Sequence, residues 1–316
     1  MGETNKNEKK ITILGAGNVG ATIAYTFAVA GTCSDVVLID INKEKAKGEA
    51  MDIRQGVSFG HNVEIKDGTY EDAKGSSIVV VTLGLARKPG QTRLDLAQAN
   101  VNIIKEVMPQ IAKAAPDATY VVVSNPVDII TYTILKCTNL DPTQVIGSGT
   151  SLDTSRLRSS IADHVGLNPQ SVHGYVFGEH GDTSFIPWSL VNIAGIPMEE
   201  YCAAEEHETI DKDEIIDEVR KAGSEVIKRK GATFYAIALT VNKICDSILR
   251  DAKNVITVST MINNKYGVDG VCLSLPCVIG GDGIEKELTP TLTEEEKKKL
   301  QESAAALKAV IDQIEF

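Results

Sequence analysis

The sequence predicts an α/β fold, a doubly wound parallel sheet with helices on both faces, followed by an α+β domain. Three observations carry this. Short apolar runs alternate with longer amphipathic ones through the first half. Those short runs are apolar throughout instead of at every second position, as strands covered on both faces are. After about residue 147 the alternation gives way to long amphipathic stretches and a late pair of strands. A chain of 316 residues has room for two domains. The change of pattern places them at 1–147 and 148–316.

In order, ITILG at 11–15 reads as a buried strand, 18–30 as a helix and VVLID at 36–40 as the next strand. Residues 43–56 read as a helix with Ala46, Ala50 and Ile53 on one side. VEI at 63–65, SIVVVTL at 77–83 and TYVVVS at 119–124 are further strands, with a helix over 92–114 between the last two. The second half begins with a helix over 152–165, then short strands at 171–177 and 183–188. Amphipathic stretches follow at 211–229 and 232–250. ITVST at 256–260 and VCLSLPCVI at 271–279 read as antiparallel sheet. The last helix covers 293–314, with Thr293 as N-cap and acids in its first turn. Its EEEKKK run reads as a solvated face.

A net charge of −11 argues against non-specific attraction to nucleic acid or an anionic membrane. No run approaches the roughly 20 apolar residues of a membrane span. The polar opening MGETNKNEKK lacks the apolar stretch of a signal peptide. Cys33, Cys137, Cys202, Cys245, Cys272 and Cys277 are scattered and form no C-x-x-C pair. They read as buried thiols in a reducing cytoplasm, with no metal site among them.

GAGNVG at 15–20 fits G-x-G-x-x-G, a weak pattern alone. Its context strengthens it. A strand precedes it, a helix follows, and Asp40 ends the next strand 20 residues after Gly20. That is the dinucleotide-binding turn of a Rossmann sheet. Gly15 allows the tight turn, Gly17 removes a Cβ that would block a pyrophosphate, and Gly20 lets helix and strand pack closely. The helix start offers free N–H groups and a positive dipole end. Gly15, Gly17, Asn18, Val19, Gly20 and Asp40 are therefore the candidate cofactor residues. Asp40 would accept from the ribose hydroxyls and repel a 2′-phosphate, which favours NAD over NADP. The bland alternative is that Asp40 only caps its own turn.

GEHGDTS at 178–184 places His180 between glycines in a turn, a poor setting for a core side chain. His61, His164 and His207 lie in polar or helical contexts and read as surface residues. His180 is the candidate general acid/base. In LDTSR at 152–156, Asp153 and Arg156 share a face of a helix start. Asp153 would hold the imidazole tautomer, and Arg156 would grip a carboxylate with its planar fork. Without His180, an N-cap and a surface ion pair would explain both.

GAGNVG, KPGQTRLDL, SNPVDI, GSGTSLDTSRLR and GEHGDTS occur in that order. Together they resemble the lactate and malate dehydrogenase superfamily from about residue 10 to the end. GEHGDT, SNPVDI and GATFY at 231–235 are most similar to the bacterial L-lactate enzymes. The resemblance implies that Arg93 sits on a mobile loop, closes over the substrate and polarises its ketone. It implies that Asn125 bonds the substrate oxygen and helps position the nicotinamide, and that Thr233 lines the pocket. It also implies a homotetramer whose effector, fructose 1,6-bisphosphate, binds through Arg158 and His173. Members that use pyruvate usually carry glutamine just before K-P-G, where this chain has Arg87. Enclosing an unpartnered guanidinium beside a methyl group is costly, whereas a second carboxylate would pair with it. The expectation is therefore an NAD-dependent malate dehydrogenase reducing oxaloacetate, with L-lactate dehydrogenase acting on pyruvate as the alternative. A catalytically silent NAD-binding module is a different class. It has no need of Arg93, Asp153, Arg156 and His180 together.

Overall fold

The computed structural model describes residues 9–85, 92–205, 207 and 209–316. Its first half builds β1 (Lys10–Leu14), α1 (Asn18–Ala30), β2 (Asp35–Ile39), α2 (Lys43–Gly56), β3 (Glu64–Asp67) and β4 (Ile78–Val81). These are followed by α3 (Arg93–Ala114), β5 (Thr119–Val122), α4 (Val127–Cys137) and β6 (Val145–Gly147). The six strands pair in parallel in the order β3-β2-β1-β4-β5-β6. Successive strand residues supply opposite faces. Ile11, Ile13, Val36, Leu38, Ile78 and Val80 pack under α1 and α2, while Leu14, Val37, Val79 and Val81 pack under α3 and α4. Burial on both faces is why these strands read as unbroken apolar runs.

The second half builds α5 (Ser151–Val165), the two-residue strands β7 (Val172–His173), β8 (Asn192–Ile193) and β9 (Ile196–Pro197), and α6 (Met198–Ala204). Then come α7 (Lys212–Lys230), α8 (Tyr235–Leu249), β10 (Asn254–Ile262), β11 (Val271–Gly280), β12 (Gly283–Glu287) and α9 (Glu294–Ile311). Strands β10 and β11 pair antiparallel, as expected for 256–260 and 271–279, and β12, which the sequence reading does not include, adds antiparallel to β11. They do not stand apart, however. β10 joins β6 at Ser259 and Gly147, so a single nine-stranded sheet runs through both halves. Gly147 makes the join possible, because a Cβ there would lie 2.5 Å from Thr131 Oγ1 and 2.7 Å from the Ser259 Cβ. α8 likewise returns to cover the first-half sheet face, with Ala238, Val241, Ile244 and Ile248 in the α1 core.

Several expectations are corrected. The strands expected at 171–177 and 183–188 reduce to Val172–His173 and a single bridge between Phe177 and Phe185. Pro187 and the short helical turn Trp188–Leu190 end the second run. The EEEKKK run is not wholly solvated. Glu296 is 7% exposed and takes donors from the Ser189 backbone N–H, the Ser189 hydroxyl and the Thr293 backbone N–H. The remaining glutamates of that turn do face water. Among the cysteines all but the half-buried Cys137 are buried. No helix among the described residues is long and apolar enough to cross a membrane.

Candidate active site

The carboxyl ends of the parallel strands carry the site, at the point where strand order reverses between β1 and β4. The turn after β1 has Gly15 at φ +102°. A Cβ on Gly20 would lie 1.9 Å from the Gly15 carbonyl oxygen, so only glycine lets α1 start this close to β1. A Cβ on Gly17 would meet no protein atom within 4 Å, so the turn is open on its outer side. Gly17 also caps α1 without a side-chain acceptor, and no acid lies in the first turn. The leading N–H groups and dipole end therefore face a space that suits a pyrophosphate.

At the end of β2, Asp40 Oδ2 accepts the Ala16 N–H at 2.7 Å, and Oδ1 accepts the Asn42 N–H at 2.8 Å. The carboxylate thus braces both the glycine turn and its own turn. A carboxylate has about four acceptor positions, so it retains capacity for ribose hydroxyls. These residues fit a dinucleotide without a 2′-phosphate. Replacing Asp40 with Ala is expected to raise the KM for NADH and to narrow the NADH-over-NADPH preference, each by about tenfold. Steady-state kinetics with both cofactors checks this.

The second-half groups meet in a cavity of about 320 Å³ lined by Val19, Asn125, Asp153, Arg156, His180 and Thr233, among others. A larger groove of about 930 Å³, lined by Tyr70, Lys74 and Lys113, lies at the opposite, amino end of the strands and contains none of this set. Asp153 and Arg156 project from the first turns of α5. His180 Nδ1 lies 2.6 Å from Asp153 Oδ2, and Arg156 donates to Asp153 Oδ1 at 2.7 Å. With Nδ1 turned to the carboxylate, Nε2 is the nitrogen left for a ligand. Burial alone would lower the His180 pKa. The Asp153 charge and hydrogen bond, with help from Asp128, outweigh it and raise the pKa above 6.5. Burial would likewise raise Asp153, but His180 and Arg156 hold it below the ordinary carboxylate range.

Arg93 is not on a loop. It is the first residue of α3, whose capping box pairs Thr92 with Asp95. Its NH1 donates to Asp182 at 2.5 Å, two residues beyond His180, with both side chains about three-quarters exposed. It therefore stands at the rim of the cavity. Arg158 Nε donates to the Gly174 carbonyl at 3.2 Å, beside the exposed His173, so these two lie near one another, and neither lines the cavity that holds His180. Arg87 lies outside the described residues.

One residue of this constellation has no counterpart among the residues picked from the sequence. Asp128, in the first turn of α4, accepts the His180 backbone N–H at 2.8 Å and the Ser259 hydroxyl at 2.5 Å. Its sequence signals are its place in SNPVDI and an acid within the largely apolar, β-branched run VDIITYTIL.

The chain is similar to known proteins along nearly its whole length. The model of the lactate/malate dehydrogenase NAD-binding domain matches residues 9–147, and that of the lactate/malate dehydrogenase alpha/beta C-terminal domain matches 150–316. An L-lactate dehydrogenase of Clostridium botulinum (strain Hall) is 46% identical over 309 residues, 97% of each chain. One from Acetivibrio thermocellus is 44% identical over 314 residues, 99% of each chain. The crystal structure of a minor L-lactate dehydrogenase from Enterococcus mundtii superposes with a TM-score of 0.95 at 37% identity, covering 98% of this chain and 99% of that one. NAD is the cofactor, and the substrate is a small hydroxy or oxo acid.

The expectation of a malate dehydrogenase is overturned by these relatives, which are named L-lactate dehydrogenase along nearly the whole chain. The expectation rested on one side chain, Arg87. A guanidinium discriminates only where the closed pocket strips it of water, and residue type alone does not establish that enclosure.

Proposed function

This chain belongs to the lactate/malate dehydrogenase family, and from that premise we propose that it is an L-lactate dehydrogenase that interconverts pyruvate and lactate. The observation that carries the chemistry is the contact of His180 and Arg156 with one buried carboxylate, Asp153, at the wall of a single small cavity. The full-length likeness to L-lactate dehydrogenases supports the choice of acid.

In this reading Arg156 holds the substrate carboxylate. A Cβ on Gly223 would come 3.6 Å from its NH2, so α7 forms the wall behind the guanidinium. His180 gives its Nε2 proton to the ketone oxygen during reduction and takes it back during oxidation. Asp153 stabilises the imidazolium and fixes its orientation. Arg93 and Asn125 present donors to the oxygen as charge develops there. Thr233 limits the space beside the substrate's third carbon. Gly15, Gly17, Asn18, Val19, Gly20 and Asp40 would hold NAD, with Asn125 helping to position it, and the bound cofactor would supply the hydride in reduction and accept it in oxidation.

Residues 1–147 would carry the cofactor and 148–316 the substrate groups, a division supported by the two family-model spans. A cytoplasmic homotetramer is also proposed, with fructose 1,6-bisphosphate bound by Arg158 and His173. The nearness of the Arg158 side chain to the His173 segment supports that pairing.

One assay tests these statements. NADH oxidation should show a higher kcat/KM with pyruvate than with oxaloacetate, and fructose 1,6-bisphosphate should lower the KM for pyruvate. A preference for oxaloacetate would overturn the choice of acid. Indifference to the bisphosphate would remove the effector.

A further inference from the structure

Asp128 has no role in the mechanism above. It is 3% exposed, and an isolated carboxylate is costly in such a place. Its oxygens are committed to two distant elements. Oδ2 takes the main-chain N–H of His180, and Oδ1 takes the hydroxyl of Ser259 on β10. Other bonds hold the base of the same turn. Phe177 pairs with Phe185, Gly178 with Ser274 of β11, and the Glu179 N–H with Ser303 of α9. Only Asp128, among the described residues, bonds the main-chain N–H of His180 itself. Asn125, which faces the cavity, lies three residues before Asp128 on the approach to the same helix. One end of α4 thus carries one substrate-facing group and grips the backbone of another.

We propose that Asp128 is a positioning residue for the hydride-transfer reaction, fixing the main chain of His180 so that its imidazole faces the ketone held beside Asn125. This rests on the reading of His180 as the acid/base. Geometry of this kind matters, because a displacement of about 1 Å can cost about a hundredfold in rate.

The Asp128 charge acts second. Burial pushes its carboxyl up to about 6, against the lowering effect of Ser259 and of the His180 N–H, so it is ionised at neutral pH. Groups facing it are His180 and Glu179 from the turn and Cys272 from β11. The imidazole also feels Asp153 and Arg156 from α5. Ionised Asp128 adds to Asp153 in keeping the imidazole protonated.

Two substitutions separate position from charge. In Asp128→Asn, the amide oxygen still accepts from His180 and the amide nitrogen donates to the Ser259 oxygen. Its kcat should stay within about threefold of wild type at low pH. The high-pH limb of pyruvate reduction should move to lower pH. In Asp128→Ala both bonds go, and kcat should fall about ten- to a hundredfold while the KM for pyruvate, set by Arg156, changes less than about twofold. Fluorescence titration with NADH counts folded sites, so rates are expressed per competent site. Wild-type kcat per site in Asp128→Ala, or a loss confined to KM, overturns the proposal. Should Asp128→Ala not fold, Asp128→Glu, which keeps the charge but shifts the bond to the His180 N–H by one methylene, takes its place, and a wild-type kcat per site there overturns it. Retained turnover in His180→Asn would remove the acid/base reading and this proposal together. Loss there with wild-type behaviour in both Asp128 variants removes this proposal alone.

Discussion

Changing His180 to Asn should lower kcat for pyruvate reduction by about a thousandfold, within the usual range for loss of a general acid/base, while NADH affinity stays near wild type. The amide can still donate to Asp153, so the buried carboxylate keeps a partner and the local fold survives. What disappears is a proton that can be released near neutral pH. The wild-type pH profile should carry the same signature. Reduction needs the imidazolium, so kcat/KM for pyruvate should hold below the raised His180 pKa and fall as pH rises through it. Lactate oxidation needs the neutral ring and should rise over the same interval. Single-turnover measurements on wild type and His180→Asn separate chemistry from product release. A loss of less than about tenfold would show that another group moves the proton.

Some of this site is legible in residue types and some is not. Helices α1 and α2 match the spans 18–30 and 43–56 because local signals bound them. Gly31 closes α1 in the left-handed region, and Asn42 caps α2 by accepting the Lys45 N–H. The His180–Asp153 partnership is readable because an imidazole in a glycine turn and an acid on a helix start are unusual in those places. Helix α4 is not readable. Val127, Ile129, Ile130, Thr131 and Ile134 are buried and β-branched, so its residue preferences point to strand, and buried residues fill nearly every position of its first two turns. The join of β10 to β6 is equally silent. It depends on Gly147 leaving room for Ser259, a contact between residues more than a hundred positions apart.

Asp128 lies within SNPVDI, yet its role is unreadable for a related reason. Its partner is a backbone N–H, which every residue but proline has, so no residue type advertises the bond. Arg87 shows the reverse error. There the side chain was conspicuous, and its meaning depended on enclosure by the fold. The same logic explains Arg93. Its role was assigned from a motif, yet its place as the first residue of α3 comes from the Thr92–Asp95 capping box beside it.

Asp153→Asn should be nearly as damaging as loss of the histidine at neutral pH, and the damage should have a distinctive pH dependence. Both partners of Asp153 are donors, Arg156 NH1 on one oxygen and His180 Nδ1 on the other. An asparagine has one acceptor oxygen, and the half-buried arginine takes it. The amide nitrogen then faces Nδ1 and favours the neutral ring with its proton on Nε2. That tautomer is wrong in both directions, since it holds no releasable proton for reduction and no lone pair for oxidation. Removing the negative charge also leaves the burial effect opposed only by Asp128, so the His180 pKa falls. The kcat/KM for pyruvate at pH 7 should drop by about a hundredfold or more. Part of it should return as pH falls toward the lowered pKa, until Asp128 itself becomes protonated near its raised value of about 6. A profile parallel to wild type at every pH would mean that Asp153 acts only through packing, and that the proton chemistry of His180 is governed elsewhere.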